Sequence, residues 1–395
     1  MTGHIRRRGE RSWELKFDID ADPLTGKRRT RHHSFKGTKR EAEAELVRLK
    51  AIANRGDYVD TSKVTLGDFL DRWEAWAATQ VSAKTLERYT ELLRHHVRPH
   101  IGAARIQRLR TVDFAALYGK LQAAKPAGAG LAPRTVGHVH RLLHRVCGHA
   151  VKWSVITANP VSAAEPPRVV RPEIRILSPE EIKTVLAALR APAPRPGHKR
   201  KPENHPLYRV ATIGLATGLR RGEIAALRWS DIDLDGGKLR VERSLEQTNA
   251  GLAFKPPKTK AGRRTISVPA SITSALRAHW LEQQEQRIAL GLGKAAPDDL
   301  VFVRSDMTAW PPDSMTTAWS KTIARLKLPK VSLHAMRHTH VSQLIAAGLD
   351  VVTVSRRIGH SNPTVTLAVY AHLFGNADER AATAVEFALA EALRE

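Results

Sequence analysis

The sequence predicts an α+β protein, mainly helical with small β-sheets, and three observations predict it. Period-two strands are confined to the first 36 residues and to short stretches of the last segment, a 3.6-residue apolar period runs through the middle, and a proline-rich linker separates that middle from the rest. At 395 residues the chain exceeds what one core usually organises. The expected division is a small sheet-plus-helix domain over 1–60, a helical domain over 61–170 and a mixed α/β domain over 171–395.

In the first segment Trp13 to Ile19 alternates apolar and polar residues, Arg28 to Phe35 forms a basic strand, and Asp22-Pro23-Leu24-Thr25-Gly26 supplies a turn. Thr38 with Glu41 reads as a capping box opening a helix to about Asn54, closed by Gly56. From Thr65 to about Val161, Leu66, Phe69, Leu70 and Trp73 line one helical stripe, and Leu86, Tyr89, Leu92 and Leu93 line another. A loop from Lys125 to Pro133 precedes a helix that pairs an apolar face (Val139, Leu142, Leu143, Val146) with Arg134, Arg141 and Arg145. The prolines at 166, 167 and 172 resist helix and central strand alike, so a border falls there. Ser178-Pro179-Glu180-Glu181 then carries an N-cap, Pro at N1 and Glu at N3. Residues 191–206, with five prolines, read as an extended surface insertion.

Lys plus Arg outnumber Asp plus Glu by 64 to 39, a formal charge of +25. It is shared as +5, +9 and +11 among the three segments, so no single tail carries it. Cations spread in this way fit a chain that wraps a polyanion, because each one placed on a phosphate releases condensed counterions. The single cysteine, Cys147, excludes internal disulfides and any site needing two thiolates, and it suits a reducing compartment. No apolar run of about 18 residues, signal peptide, basic amphipathic helix or lipidation signal is visible, so the expectation is a cytoplasmic protein with no membrane partner.

Four stretches of the last segment hold residues that could carry chemistry. They are Thr217 to Glu223, Lys258-Thr259-Lys260, Leu333 to His338, and Ile358-Gly359-His360 with Tyr370 ten residues on. Metal-free phosphodiester cleavage requires a nucleophile, neutralised non-bridging oxygens and a protonated leaving group. A phenol such as that of Tyr370 can form a covalent phosphate ester. Arg220 and Arg337 offer rigid forks matched to phosphate oxygens, Lys258 can serve as general acid, and His334 and His360 can donate to phosphate or carry the nucleophile's proton.

In that order, these residues resemble the tyrosine recombinase, or phage integrase, family, in which an Arg within T-G-x-R-x-x-E, a hairpin Lys, an H-x-x-R box, a G-H pair and a later Tyr form the active site. The resemblance implies Arg220, Lys258, His334, Arg337, His360 and Tyr370 as catalytic residues, with Glu223 orienting the site. Two departures stand out. Many members have Asp-Leu inside the H-x-x-R box where this chain has Ala335-Met336, with the spacing kept. Lys260 lies two residues beyond Lys258 on an expected strand or turn before the Arg264 to Val268 strand, and strand alternation would put both on one side, so either could be the general acid; the family's Pro-Lys-Thr phrase favours Lys258. The segment Asp231 to Gly236 with Glu242 passes as a calcium loop, but its alternating Ile232 and Leu234 and the Gly236-Gly237 pair read as a hairpin. The histidines at 334, 338 and 340 lack a metalloprotease glutamate, and only the first two share a helix face. The reading is therefore no metal and no cofactor.

The resemblance implies a site-specific recombinase of a prophage or other mobile element, cutting and rejoining through a 3′-phosphotyrosyl link. It also implies an arm-binding domain over 1–60, a core-binding SAM-like domain over 61–170 and a catalytic domain over 171–395. The partners it implies are double-stranded DNA at core-type and arm-type sites, a homotetramer assembled on that DNA, and an excisionase or DNA-bending accessory protein. Arg28, Arg29, Arg31, Arg134, Arg141 and Arg145 are the candidate DNA contacts. A sparse Val385, Leu389 and Leu393 stripe predicts that a helix over Ala377 to Leu393 docks on a neighbouring subunit. The rival readings are a type IB topoisomerase, which relaxes DNA without exchanging partners, and a DNA-binding regulator without chemistry.

Overall fold

The computed structural model describes residues 3–19, 27–55, 58–170, 174–190, 205–257 and 259–371, with helical residues at 382–383, 385–386 and 389–390. The expected Asp22–Gly26 turn, the Gly56 stop, residues 191–204 of the insertion, Lys258 and most of the Ala377–Leu393 helix lie outside the described residues. Two compact units divide at the prolines, residues 1–171 and 172–395.

The first unit holds two separate cores. Strands β1 (Gly3–Gly9), β2 (Ser12–Ile19) and β3 (Arg29–Lys36) form an antiparallel sheet in that order. The period-two pattern of β2 turns Leu15 and Phe17 onto α1 (Lys39–Asn54), where Ala42, Leu46, Leu49 and Ala53 complete the core. The capping box holds in both directions: the Glu41 amide donates to Thr38 Oγ1 (3.3 Å) and the Thr38 amide to Glu41 Oε2 (2.7 Å). Beyond it, α2 (Leu66–Ala78), α3 (Ala83–His96), the single turn α4 (Arg98–Ile101), α5 (Thr111–Gln122) and α6 (Pro133–Lys152) enclose the second core. Leu66, Phe69, Leu70 and Trp73 are each at most 1% exposed, as the stripe required.

The second unit begins with α7 (Pro179–Arg190), whose start is fixed reciprocally by Ser178 and Glu181 (3.0 and 3.2 Å). Next come α8 (Pro206–Thr217), α9 (Arg221–Ala225), β4 (Ile232–Asp233), β5 (Lys238–Val241), β6 (Ser244–Thr248), β7 (Gly251–Lys255), β8 (Arg264–Ser267) and α10 (Ala270–Ala289). The chain continues through α11 (Pro312–Arg325), α12 (Ala335–Ala346), α13 (Val351–Ile358) and α14 (Pro363–Tyr370). Sheet β4-β5-β8 and hairpin β6-β7 are antiparallel. The acidic 231–236 stretch is indeed strand and turn: Ile232 pairs with Leu239, and the Gly236 amide donates to Asp233 Oδ1 (2.7 Å).

One expectation is corrected here. His205 and Pro206 are not part of an extended insertion: the His205 ring accepts from the Leu207 amide (3.1 Å), and Pro206 takes the first helical position of α8, where it lacks only a donor the helix does not need. Of the strand and the turn expected around Lys260, the turn is what forms: β7 stops at Lys255 and residues 260–262 make a 3-10 turn. Strand alternation therefore says nothing about where Lys260 points.

Candidate active site

Arg220, Glu223, His334, Arg337, His360 and Tyr370 sit in the second unit, at the junction of α8, α9, α12, α13 and α14. Helix α8 ends at Gly218, whose φ of +66° is open to glycine without strain; an added Cβ would lie 2.7 Å from His340 Cδ2. That left-handed stop turns the chain so that Arg220 begins α9. Its backbone amide donates to Glu223 Oε2 (2.9 Å), and its Nη1 to Glu223 Oε1 (2.7 Å). Its Nη2 reaches the Gly359 carbonyl (3.2 Å), yet the side chain stays 40% exposed, so part of the fork faces outward.

Arg337, by contrast, is 3% exposed. It donates from Nη1 to the Gly218 carbonyl (2.7 Å) and from Nη2 to the Ile358 carbonyl (2.6 Å), tying together the ends of α8 and α13. Burial, then the neighbouring Arg220 charge, pushes its pKa down to about 9, so the guanidinium stays cationic at neutral pH. The departure Ala335-Met336 is absorbed by packing: both side chains are buried in the main core, and Met336 Cε lies where a Cβ on Gly214 would come within 2.9 Å. Gly359 repeats the device of Gly218. Its φ is +69°, and a Cβ there would lie 2.8 Å from the Ala261 carbonyl oxygen.

Glu223 is the hub beneath the two forks. It is 4% exposed and meets Arg264, whose Nη2 and Nη1 donate to its two oxygens at 3.0 and 3.3 Å. Desolvation alone would raise its pKa, but the hydrogen bond and charge of Arg264, then the charge of Arg220, outweigh it and hold the carboxyl below its usual range. Arg264 also donates from Nε to the Arg357 carbonyl (2.8 Å), so strand β8 anchors the turn that carries His360.

The imidazoles are kept neutral. His360 Nδ1 bonds Thr366 Oγ1 (2.9 Å), which leaves Nε2 for a ligand; desolvation and then Arg337 and Arg220 lower its pKa to about 4. His334 caps α12 with solvent reaching its side chain, and loss of hydration, then His338, Arg337 and Arg220, lowers it to about 4 as well. His340 faces away from these groups. Its Nδ1 donates to the Leu215 carbonyl (2.8 Å), and its Nε2 accepts from Arg357 Nε (3.1 Å).

Tyr370 closes α14 with its ring packed on Val341, Ile345, Val354 and Ile358, and the residue is 3% exposed. Its hydroxyl does not end in that apolar cluster; it meets His338 Nδ1. Desolvation raises the phenol to about 12, against the opposing charge of Arg337. Sequence reading thus assembled Arg220, Glu223, His334, Arg337, His360 and Tyr370 in one place. Lys260 is exposed on its 3-10 turn. It missed His338, Arg264 and Thr366. The first left a signal, since it stands four residues after His334 on the same helix. The other two become visible only when β8 and α14 are folded against the site.

The candidate DNA contacts are unequal. Arg28 pairs with Asp18, and Arg31 with both oxygens of Asp60 (2.6 and 2.7 Å). Arg29 is partly exposed on β3. Arg134 and Arg141 are exposed on α6, the latter donating to His138 (2.9 Å). Arg145 is spent on packing, donating to Tyr89 Oη (3.0 Å) with its guanidinium 5.7 Å from that ring's centre.

Comparison with known proteins bears on the family and the fold. Residues 65–122 match the "Phage integrase, N-terminal SAM-like domain" and residues 175–376 match the "Phage integrase family". A tyrosine recombinase XerC-like protein of Caldanaerobacter subterraneus subsp. tengcongensis is 27% identical over 358 residues, covering 85% of this chain and 86% of that one. The ICEBs1 integrase of Bacillus subtilis is 23% identical over 92% of this chain and 94% of its own. Among solved structures, the Tn1549 transposon integrase in complex with a circular intermediate DNA shares the fold at a TM-score of 0.65 and 21% identity, covering 80% of this chain and 99% of that one. A lambda integrase tetramer bound to a Holliday junction shares it at 0.54 and 17%, covering 91% and 96%. With a single family match spanning just over half of its 395 residues, the chain belongs to the phage integrase family, the tyrosine-type site-specific recombinases.

Proposed function

We propose that this recombinase integrates or excises a mobile element by cutting each strand with Tyr370 and rejoining it to a partner duplex. The convergence of Arg220, Arg337, His334, His360 and Tyr370 from separate helices and turns of one unit carries this reading. A phosphate seated against the outward fork of Arg220 and the Nε2 of His360 would complete hydrogen bonds that the protein leaves open there. The charge building on its non-bridging oxygens would be stabilised by Arg220, His334, His360 and the field of the buried Arg337. Lys258 protonates the leaving 5′ oxygen, with Lys260 in support. The product is a 3′-phosphotyrosyl link and a free 5′ hydroxyl, and attack by the partner's hydroxyl reverses the step, so neither nucleotide hydrolysis nor a metal is needed.

On this reading 1–60 is an arm-type DNA-binding domain, 61–170 the core-binding domain and 171–395 the catalytic domain. Four copies act together on two duplexes, as in the lambda integrase tetramer on a Holliday junction. An excisionase or DNA-bending protein would set direction. The test is a duplex carrying the element's recombination site, nicked beside the cleavage position, so that the released end diffuses away and the covalent adduct accumulates. The full chain should give that adduct in EDTA, and Tyr370→Phe should abolish it while leaving binding intact. Binding without an adduct would identify a DNA-binding regulator, and loss of cleavage in EDTA would identify a metal nuclease.

A further inference from the structure

We propose that His338, through Nδ1, is the catalytic base that takes the Tyr370 phenolic proton during cleavage and returns it during rejoining. The proposal deepens the reading above and rests on it. Among the described contacts of the Tyr370 hydroxyl, the imidazole of His338 is the polar partner, with the two rings tilted at 51° and their centres 5.7 Å apart. His334 and His360 are the histidines that the spacing suggested for this proton. They are directed elsewhere: His360 is held through Nδ1 by Thr366, and His334 meets the edge of the His338 ring with centres 4.9 Å apart.

The surroundings suit a base. A buried phenol beside apolar Val341, Ile345, Val354 and Ile358 gives up its proton reluctantly and needs an acceptor in contact. With hydrogen on Nε2, the neutral His338 ring presents a free lone pair at Nδ1. Desolvation and then the Arg337 charge lower its pKa, which favours the neutral ring. The incoming phosphodiester monoanion offsets that cationic field, so the imidazolium is favoured at the moment the proton must move. The helix also fixes the base: Arg337, the preceding residue, is bound to the Gly218 and Ile358 carbonyls, which holds the first turn of α12 against α13.

In the forward step the Oη–P bond forms and the P–O5′ bond breaks; the Oη proton passes to His338 Nδ1, and the 5′ oxygen takes a proton from the general-acid lysine. In the return step the 5′ hydroxyl yields its proton to that lysine and attacks phosphorus. The Oη–P bond breaks, and Oη recovers its proton from His338.

The experiment is single-turnover cleavage of the nicked duplex by the full chain at saturating DNA. His338→Ala and His338→Asn are compared with wild type, with binding followed by gel shift. Asn keeps a hydrogen-bonding atom near the position of Nδ1 but cannot take the proton, so both variants should bind normally and cleave at least about 100-fold more slowly. A second measurement separates proton transfer from loss of shape. In a Tyr370→Phe background, the enzyme joins a 5′ hydroxyl to an end bearing a 3′-p-nitrophenyl phosphate, whose leaving oxygen departs without a proton. There His338→Ala should cost far less than it does in cleavage. Equal losses in both reactions would overturn the proposal in favour of a structural role, as would near-normal cleavage by His338→Asn. Faster cleavage by either variant would make His338 a latch on the nucleophile instead. Should wild type itself give no adduct, the recombinase reading of Tyr370 fails, and the role of His338 with it.

Discussion

At the scale of single residues, the site is built on one buried carboxylate surrounded by guanidinium groups. Glu223 compensates Arg264, whose side chain is 6% exposed. Removing one partner of such a pair strands the other's charge, so Glu223→Ala should destabilise the second unit by about 3–5 kcal/mol. The chemical-denaturation midpoint of that unit's transition in the full chain measures this, and a change within error would show that Arg264 finds another partner. Histidine ionisation adds a pH dependence of known sign. His334, His340 and His360 have pKa values lowered from 6.5 to about 4, so between those limits the unfolded chain binds more protons than the folded one. Stability should rise as pH increases from about 4 to 6.5 and level off above, and the depressed Glu223 pKa adds in the same direction at the acid end. Thermal melts across that range check the slope; a fall with rising pH would contradict it.

At the scale of elements, helix ends rather than helix faces position the chemistry. Gly218 stops α8 so that the next residues can deliver Arg220, and its carbonyl receives Arg337. Gly218→Ala would impose a left-handed conformation on a residue with a Cβ and press it on His340, at a cost of about 1–3 kcal/mol. Cleavage should fall more than binding does, because both forks depend on that turn. Helix α6 in the first unit shows the opposite logic, with one face packed and the other bearing exposed Arg134 and Arg141. Replacing either by Ala should weaken DNA binding to a similar degree across sequences and reduce the slope of log K against log salt by about one. Arg145→Ala should instead lower thermal stability, since its guanidinium braces Tyr89. An unchanged salt slope for Arg134→Ala and Arg141→Ala would place DNA on another face.

At the scale of the whole molecule, a formal charge of +25 carried by every segment should make DNA affinity fall steeply with salt, even for sequences that are never cleaved. Specific and non-specific duplexes titrated over 50–200 mM salt would show this, about a thousandfold or more if six or more phosphates are contacted. Among the described residues no helix is long and apolar enough to cross a membrane. Val385 and Leu389 are exposed on the helical C-terminal residues, in keeping with the sparse stripe, while Leu393 lies outside the described residues.

The sequence by itself determined the elements whose signals are local: the Thr38–Glu41 and Ser178–Glu181 caps, the alternation of β2, the Trp73 stripe, and the proline border between the units. It also offered a candidate reactive set, which the resemblance to the tyrosine recombinase family implied from arginine, histidine and tyrosine at motif spacing. Only the tertiary structure decided which atoms of those side chains remain open. Arg337 was legible as a phosphate fork, yet two of its nitrogens are spent on carbonyls more than 20 residues away in sequence, and Arg145 is consumed by a tyrosine on another helix. His338 looked like a spare histidine until the last residue of α14 was laid against it. Hydrogen-bond partners of this kind depend on which distant backbone arrives within 3 Å, and that depends on packing among helices, which residue spacing does not encode.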